Sequence, residues 1–205
     1  MRTQDDWIKL QEVSVQLENN NMHTVVLHHK EDVLPYLQQH INSEQSISLG
    51  GSMTLQECGI TEYVQKLPHF INRSKNPKDA FFADIFLCSA NAITLRGEIY
   101  DVDGIGHRVA PLIYGPKHVF IVAGKNKIVS SLQDAIIRVK TIAAPKNSQR
   151  LAVPSYCHEY GKCADMTSLS VAACNRTMCS FFVVLGKQEI LERISIVLVN
   201  DELGF

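Results

Sequence analysis

The chain has no run of apolar residues approaching the roughly 20 that a bilayer-spanning helix requires. Nor does it carry a surplus of charge of one sign: 20 Lys and Arg stand against 21 Asp and Glu, a formal net charge of -1. That balance supplies no basic field for wrapping nucleic acid, and no stretch interleaves basic residues with aromatics. The opening residues, Met1 to Trp7, carry acids where a secretory signal needs a basic start and an apolar core. Low-complexity segments and internal repeats are both missing. Together these absences predict a soluble, cytoplasmic protein with neither a membrane nor a nucleic-acid partner. The 205 residues, 45% of them hydrophobic, suffice for one domain, spanning 1–205, with a buried core.

Cysteine is present in quantity and unevenly placed. Four of the six, Cys157, Cys163, Cys174 and Cys179, fall within 23 consecutive positions, while Cys58 and Cys88 stand alone. In a neutral chain expected to stay reduced, clustered cysteines favour a metal over disulfides. Four thiolates satisfy a tetrahedral zinc or ligate an iron–sulfur cluster, with His158 and Asp165 as substitute ligands. The spacing C-x5-C-x10-C-x4-C is not a paired CxxC pattern. Reduced thiols in a loop-rich segment, or a redox disulfide, therefore remain the alternatives for this cysteine-rich stretch, 155–180.

Helical and strand patterns alternate along the rest. Trp7, Ile8, Leu10, Val13 and Leu17 sit near helical spacing in an N-terminal helix within 1–21, and Val33, Leu37 and Ile41 mark a second helix over 30–42. Short apolar runs at 24–27, 46–49, 85–87, 119–123, 181–185 and 194–199 read as strands. Leu132, Ile136, Val139 and Ala143 line a further helix that Pro145 is expected to end. Strands alternating with helices of this length imply parallel βαβ units and an α/β fold, a three-layer sandwich on a mostly parallel sheet. In such sheets ligands sit beyond the carboxyl ends of the strands.

That rule selects two segments. The first is Gly50-Gly51-Ser52-Met53-Thr54, a glycine turn between a strand and a helix. Bare backbone and two hydroxyls there suit phosphate, carboxylate or another anion. The alternative is a tight turn with Ser52 as a simple N-cap. No Lys follows the glycines, so this is not a Walker motif. One turn on, Glu57 is a candidate nucleophile or base, or else a solvent-facing cap residue. The second segment, Ala83 to Arg108, carries Asn91, Asp103 and Arg108. A β-hairpin folded around Val102–Gly106 would bring those three to the mouth of a pocket, where they are candidate ligand-binding residues. Lys117, Lys125, Lys127, Arg138 and Lys140 read as a solvated face.

Taken in order, GGSMTLQECG at 50–59, FADIFLCSANAIT at 82–94, GEIYDVDGIGHRVA at 97–110, GPKHVFIVAGKNKIV at 115–129, IAAPKN at 142–147 and ISIVLVNDELGF at 194–205 resemble the LUD domain, the lactate-utilisation family with the LutC-type proteins. The resemblance implies a fold akin to the glucosamine-phosphate deaminase, ribose-phosphate isomerase and CoA-transferase superfamily. It also implies a small anionic or nucleotide-like ligand at Gly50–Thr54, and a role in oxidation of L-lactate or related organic acids beside other lactate-utilisation subunits. A homo-oligomer is compatible with it, and a metal or iron–sulfur accessory subunit is the alternative role. Relatives often carry a tail like CxxTGxCxDCxSPxRIC. Cys157, Cys163 and Cys179 fit it, Met166 occupies the third cysteine position, and Cys174 is the available replacement, from an apparent insertion at 167–173.

Overall fold

The computed structural model describes residues 2–205. Ten strands divide between two sheets. In the larger, β1 (His23–Leu27), β2 (Ile47–Leu49), β3 (Phe70–Ile71), β4 (Ile85–Cys88), β7 (His118–Gly124) and β10 (Ile194–Val199) pair in the order β1-β10-β7-β4-β2-β3. Every pairing in it is parallel. The smaller sheet, β8-β5-β6-β9, is mixed and consists of β5 (Ala92–Thr94), β6 (Ile99–Asp103), β8 (Ile128–Val129) and β9 (Phe181–Leu185).

Both faces of the parallel sheet are buried, which is why its strands read as continuous apolar runs. Alternation along each strand then sorts side chains between two cores. On one face Phe86, Ile121, Ile194 and Ile196 pack with Leu10, Val13 and Leu17 of α1 (Arg2–Asn19), together with Ile93 and Ile99 of the smaller sheet. On the other, Leu87, Val122, Val197 and Val199 meet α2 (Val33–His40), α3 (Met53–Glu57) and α4 (Ile60–Gln65). The result is the expected three-layer α/β arrangement. Gly97 shows how closely the layers approach: its φ is +75°, and a Cβ there would lie 2.8 Å from the backbone of Gln16 in α1. Among the described residues no helix is long and apolar enough to cross a membrane.

Three local expectations are corrected. The second helix starts at Val33 rather than 30, after a 3-10 turn over Lys30–Asp32. Pro145 does not end its helix. α6 (Leu132–Arg138) continues through a π-helical turn, Val139–Ala143, into α7 (Ala144–Arg150), where proline near the start of the new register forfeits little because it has no N–H to satisfy. The hairpin lies not around Val102–Gly106 but one turn earlier, between β5 and β6. After Asp103 the chain enters α5 (Val109–Ile113) instead, because the Asp103 carboxylate accepts from the N–H groups of Ile105, Gly106, Arg108 and Val109 and bends the backbone into a helix start.

Candidate functional site

β2 continues to β3 on one side, whereas its neighbour β4 leads on to β7 on the other, so the connections leave these adjacent strands in opposite directions at their carboxyl ends. A crevice opens at such a switch point. Here it is a cavity of about 580 Å³, walled by the residues that follow β2, β3, β4 and β7, by α7, and by part of the cysteine-bearing segment.

Of the glycine turn, Gly51, Ser52 and Thr54 line this cavity and Gly50 does not. Gly50 is required for packing: a Cβ there would meet Cys88 Cβ at 3.0 Å and Arg108 Cγ at 3.1 Å. Ser52 caps α3 by accepting from the Leu55 N–H. Thr54 is fully buried, and its hydroxyl accepts from Lys127 Nζ at 2.9 Å.

Asn91, Asp103 and Arg108 come together on the cavity wall. Arg108 is deeply engaged there, its side chain 13% exposed. Nη1 donates to Ser89 O and to the buried Asp101 carboxylate, and Nη2 donates to Asn91 Oδ1 and Val102 O. All four Nη hydrogens are thus bound to protein. Burial works most strongly on the guanidinium, against its charge, but the charge and hydrogen bond of Asp101, with Cys88 and Asp103, together outweigh it and raise the Arg108 pKa. Burial likewise opposes the Asp103 carboxylate, yet the backbone N–H groups of its turn hold it below the usual range. These groups form a knot that shapes the wall.

Sequence reasoning missed most of the cations around this space. Arg73, Lys127, Arg150 and Arg176 line it with Arg108, and Asp103 is the single carboxylate among the lining residues. Lys127 was detectable, since it lies three residues past the strong parallel strand β7; Arg73, Arg150 and Arg176 carry no spacing signal. The expected solvated face is corrected here. Lys127, Arg138 and Lys140 are 3%, 6% and 2% exposed, because their long stems reach interior acceptors. Lys117 and Lys125 do pair at the surface, with Asp84 and Asp6. Burial first, then the nearby Arg138, pushes Lys127 down to about 7.

Glu57 stands apart from this space: it is exposed, and its Oε2 accepts from the N–H of Gly204. Cys58 and Cys88 are buried free thiols. Cys157 lies in α8 (Tyr156–Tyr160), and residues 161–180 contain no further helix or strand. Burial pushes the Cys179 thiol up to about 12, with Cys157, Cys163 and Cys174 adding to the rise. The four thiols do not form a common ligand set. Among the described residues no three His, Cys, Asp or Glu side chains form a ligand set for a metal ion, His158 and Asp165 included. As arranged, the segment does not fit zinc or an iron–sulfur cluster. Its Asp165 instead accepts from Thr167 and Ser168 within the same loop.

Comparison with known proteins identifies the chain. No curated protein matches it. Among solved structures it is similar to the crystal structure of a DUF162 family protein from Deinococcus radiodurans, with a TM-score of 0.58 at 10% sequence identity, over 95% of this chain and 98% of that one. At that identity the likeness concerns the fold. The LUD domain family model matches residues 10–199, nearly the whole length. With the glycine turn, the wall segment and the parallel sheet in their expected places, the chain belongs to the LUD domain family.

Proposed function

We propose that the protein binds a small organic anion, or a nucleotide-like ligand bearing phosphate or carboxylate groups, in the cavity at the strand ends, and that it takes part in lactate or related organic-acid utilisation. The observation that carries this reading is the charge of the cavity: four arginines, Arg73, Arg108, Arg150 and Arg176, against one acidic side chain, Asp103, in a chain whose overall charge is balanced. Low-dielectric walls focus such a field on an incoming anion. The family's general association with lactate utilisation supplies the metabolic setting. Calorimetry and thermal shift with lactate, pyruvate, sugar phosphates and CoA test the reading. Stabilisation by at least one of them, weakened by salt and by Arg73→Ala, is expected; indifference to all four overturns it.

The second reading, an accessory metal or iron–sulfur role, is supported by the grouping of Cys157, Cys163, Cys174 and Cys179 within 23 positions of the sequence. It requires the 157–179 segment to draw its thiols together. Metal analysis and a visible spectrum on anaerobically purified protein decide it: metal-free, colourless, folded protein defeats this reading.

A further inference from the structure

Among lysines, Lys127 stands in an unusual setting. It follows β7, lines the cavity and is 3% exposed, yet among the described residues it has no ion-pair partner. Its Nζ donates instead to two neutral hydroxyls, Ser89 Oγ at 2.8 Å and Thr54 Oγ1 at 2.9 Å. Those hydroxyls are themselves fixed. Ser89 Oγ donates to Val122 O at 2.6 Å, and Thr54 is packed against the chain at Leu203 and Gly204. Of the charged groups around the amine, Arg138 and Arg108 oppose its protonation, while Asp101 and Glu57 favour it, and burial outweighs them all. A buried lysine beside another cation, with only hydroxyl partners, is the arrangement that keeps an amine neutral and nucleophilic at ordinary pH.

We infer that Lys127 is a reactive amine that forms a protonated imine with an anionic carbonyl compound, an oxo acid or a phosphorylated aldehyde or ketone, held in the cationic cavity. This rests on the anion-site reading above and narrows its ligand to compounds bearing a carbonyl group. In the step, the neutral Nζ adds to the carbonyl carbon and a C–N bond forms. One amine proton passes to the carbonyl oxygen. A second proton is taken up from solvent, and the oxygen leaves as water with cleavage of the C–O bond. The product is a protonated C=N linkage, and neither oxidant nor metal enters the balance. The Ser89 and Thr54 hydroxyls, already hydrogen-bonded to Nζ, are the nearest groups for moving the proton. Arg73, Arg150 and Arg176, which line the same cavity, retain the substrate's carboxylate or phosphate.

The test is reductive trapping on the intact wild-type protein. It is incubated at neutral pH with pyruvate and cyanoborohydride, digested, and mapped by mass spectrometry. The remaining lysines are internal controls, so the result does not depend on any variant folding. Labelling of Lys127 is expected to exceed that of a typical surface lysine by about tenfold or more, because far more of it is neutral at that pH. Lactate, which has the carboxylate but no carbonyl, reduces the labelling by competition. Acetone, a carbonyl compound with no charge, labels Lys127 less than pyruvate does, and Lys127→Arg abolishes the adduct. If calorimetry shows pyruvate bound while Lys127 stays unmodified, the inference falls and the anion site stands. If pyruvate, lactate and the phosphates neither bind nor leave an adduct, both fall.

Discussion

Around a single cavity, Arg108 and Lys127 at the strand ends are bonded into the protein, whereas Arg150 and Arg176 on the α7 and cysteine-bearing wall are exposed. The strand-end wall spends its cations on its own architecture: Arg108 ties β4, β6 and the turn after Asp103 into one unit, and Lys127 joins Thr54 to Ser89. On the other wall, among the described residues, the Arg150 side chain bonds only to Asn147, one helical turn away. The segment beyond it is anchored largely through Lys140, whose buried Nζ donates to Asp165 O at 2.6 Å and Ser170 O at 3.1 Å. The strand-end wall is thus held by bonds from its own cations to neighbouring elements. The exposed share of the cavity's charge sits at the end of α7 and in the loop beyond it.

The sharpest way to break this contrast is Arg108→Met. It leaves Asp101 buried without its counter-charge and should cost about 3–5 kcal/mol in chemical denaturation, the range for splitting a buried pair. A loss below about 1 kcal/mol would mean that Arg108 is no more committed to the protein than an exposed arginine is.

Lys127 supplies a pH signature of the same wall. Its ordinary pKa of 10.5 falls to about 7 on folding, so between those values the unfolded chain holds the extra proton. Stability attributable to this residue therefore rises with pH across that window, by up to about 1.4 kcal/mol per pH unit, and is lost as pH falls toward 7. Lys127→Met should flatten that rise; superimposable profiles for the two proteins would show that Lys127 keeps its proton on folding.

On the other wall, Lys140→Met should cost about 1–3 kcal/mol, as expected for losing buried hydrogen bonds. It should also speed limited proteolysis within 161–180 while leaving cleavage elsewhere unchanged. Uniform acceleration along the chain would indicate that the segment is as integral as the sheet. The smallest effect is expected from Arg176→Ala: stability within about 0.5 kcal/mol of wild type, but anion affinity lower by a few-fold, read by titration at low and high salt. Unchanged affinity would assign the ligand contacts to the strand-end wall alone.

Much of this was legible beforehand, for identifiable reasons. Continuous apolar runs such as Val119–Ala123 and Ile194–Val199 are what strands buried on both faces look like, so the parallel sheet followed from them. The carboxyl-end rule led to Gly51, Ser52 and Thr54, and Asn91, Asp103 and Arg108 do come together on one wall. Illegible were the partners. Nothing local in Lys127, Arg138 or Lys140 distinguishes a buried cation from a solvated one, because the acceptors that receive them lie on other elements. Glu57, a candidate nucleophile or base or else a solvent-facing cap residue by its place after the glycine turn, is exposed, and the N–H its carboxylate accepts from, that of Gly204, is 147 positions away. Pro145 misled because a π turn, set by packing, changed which N–H groups needed partners.

The sequence by itself determined the class of fold and the strand ends at which the cavity opens, since hydrophobic period and turn chemistry act over a few residues. Only the tertiary structure decided what each charge does. A charge reaches across space rather than along the chain, so whether an arginine anchors a wall, a lysine loses its proton, or four cysteines meet depends on which distant groups the fold sets beside them. At the cavity, the fold bonds Arg108 and Lys127 inward, leaves Arg150 and Arg176 exposed, and does not close the four late thiols on a common centre.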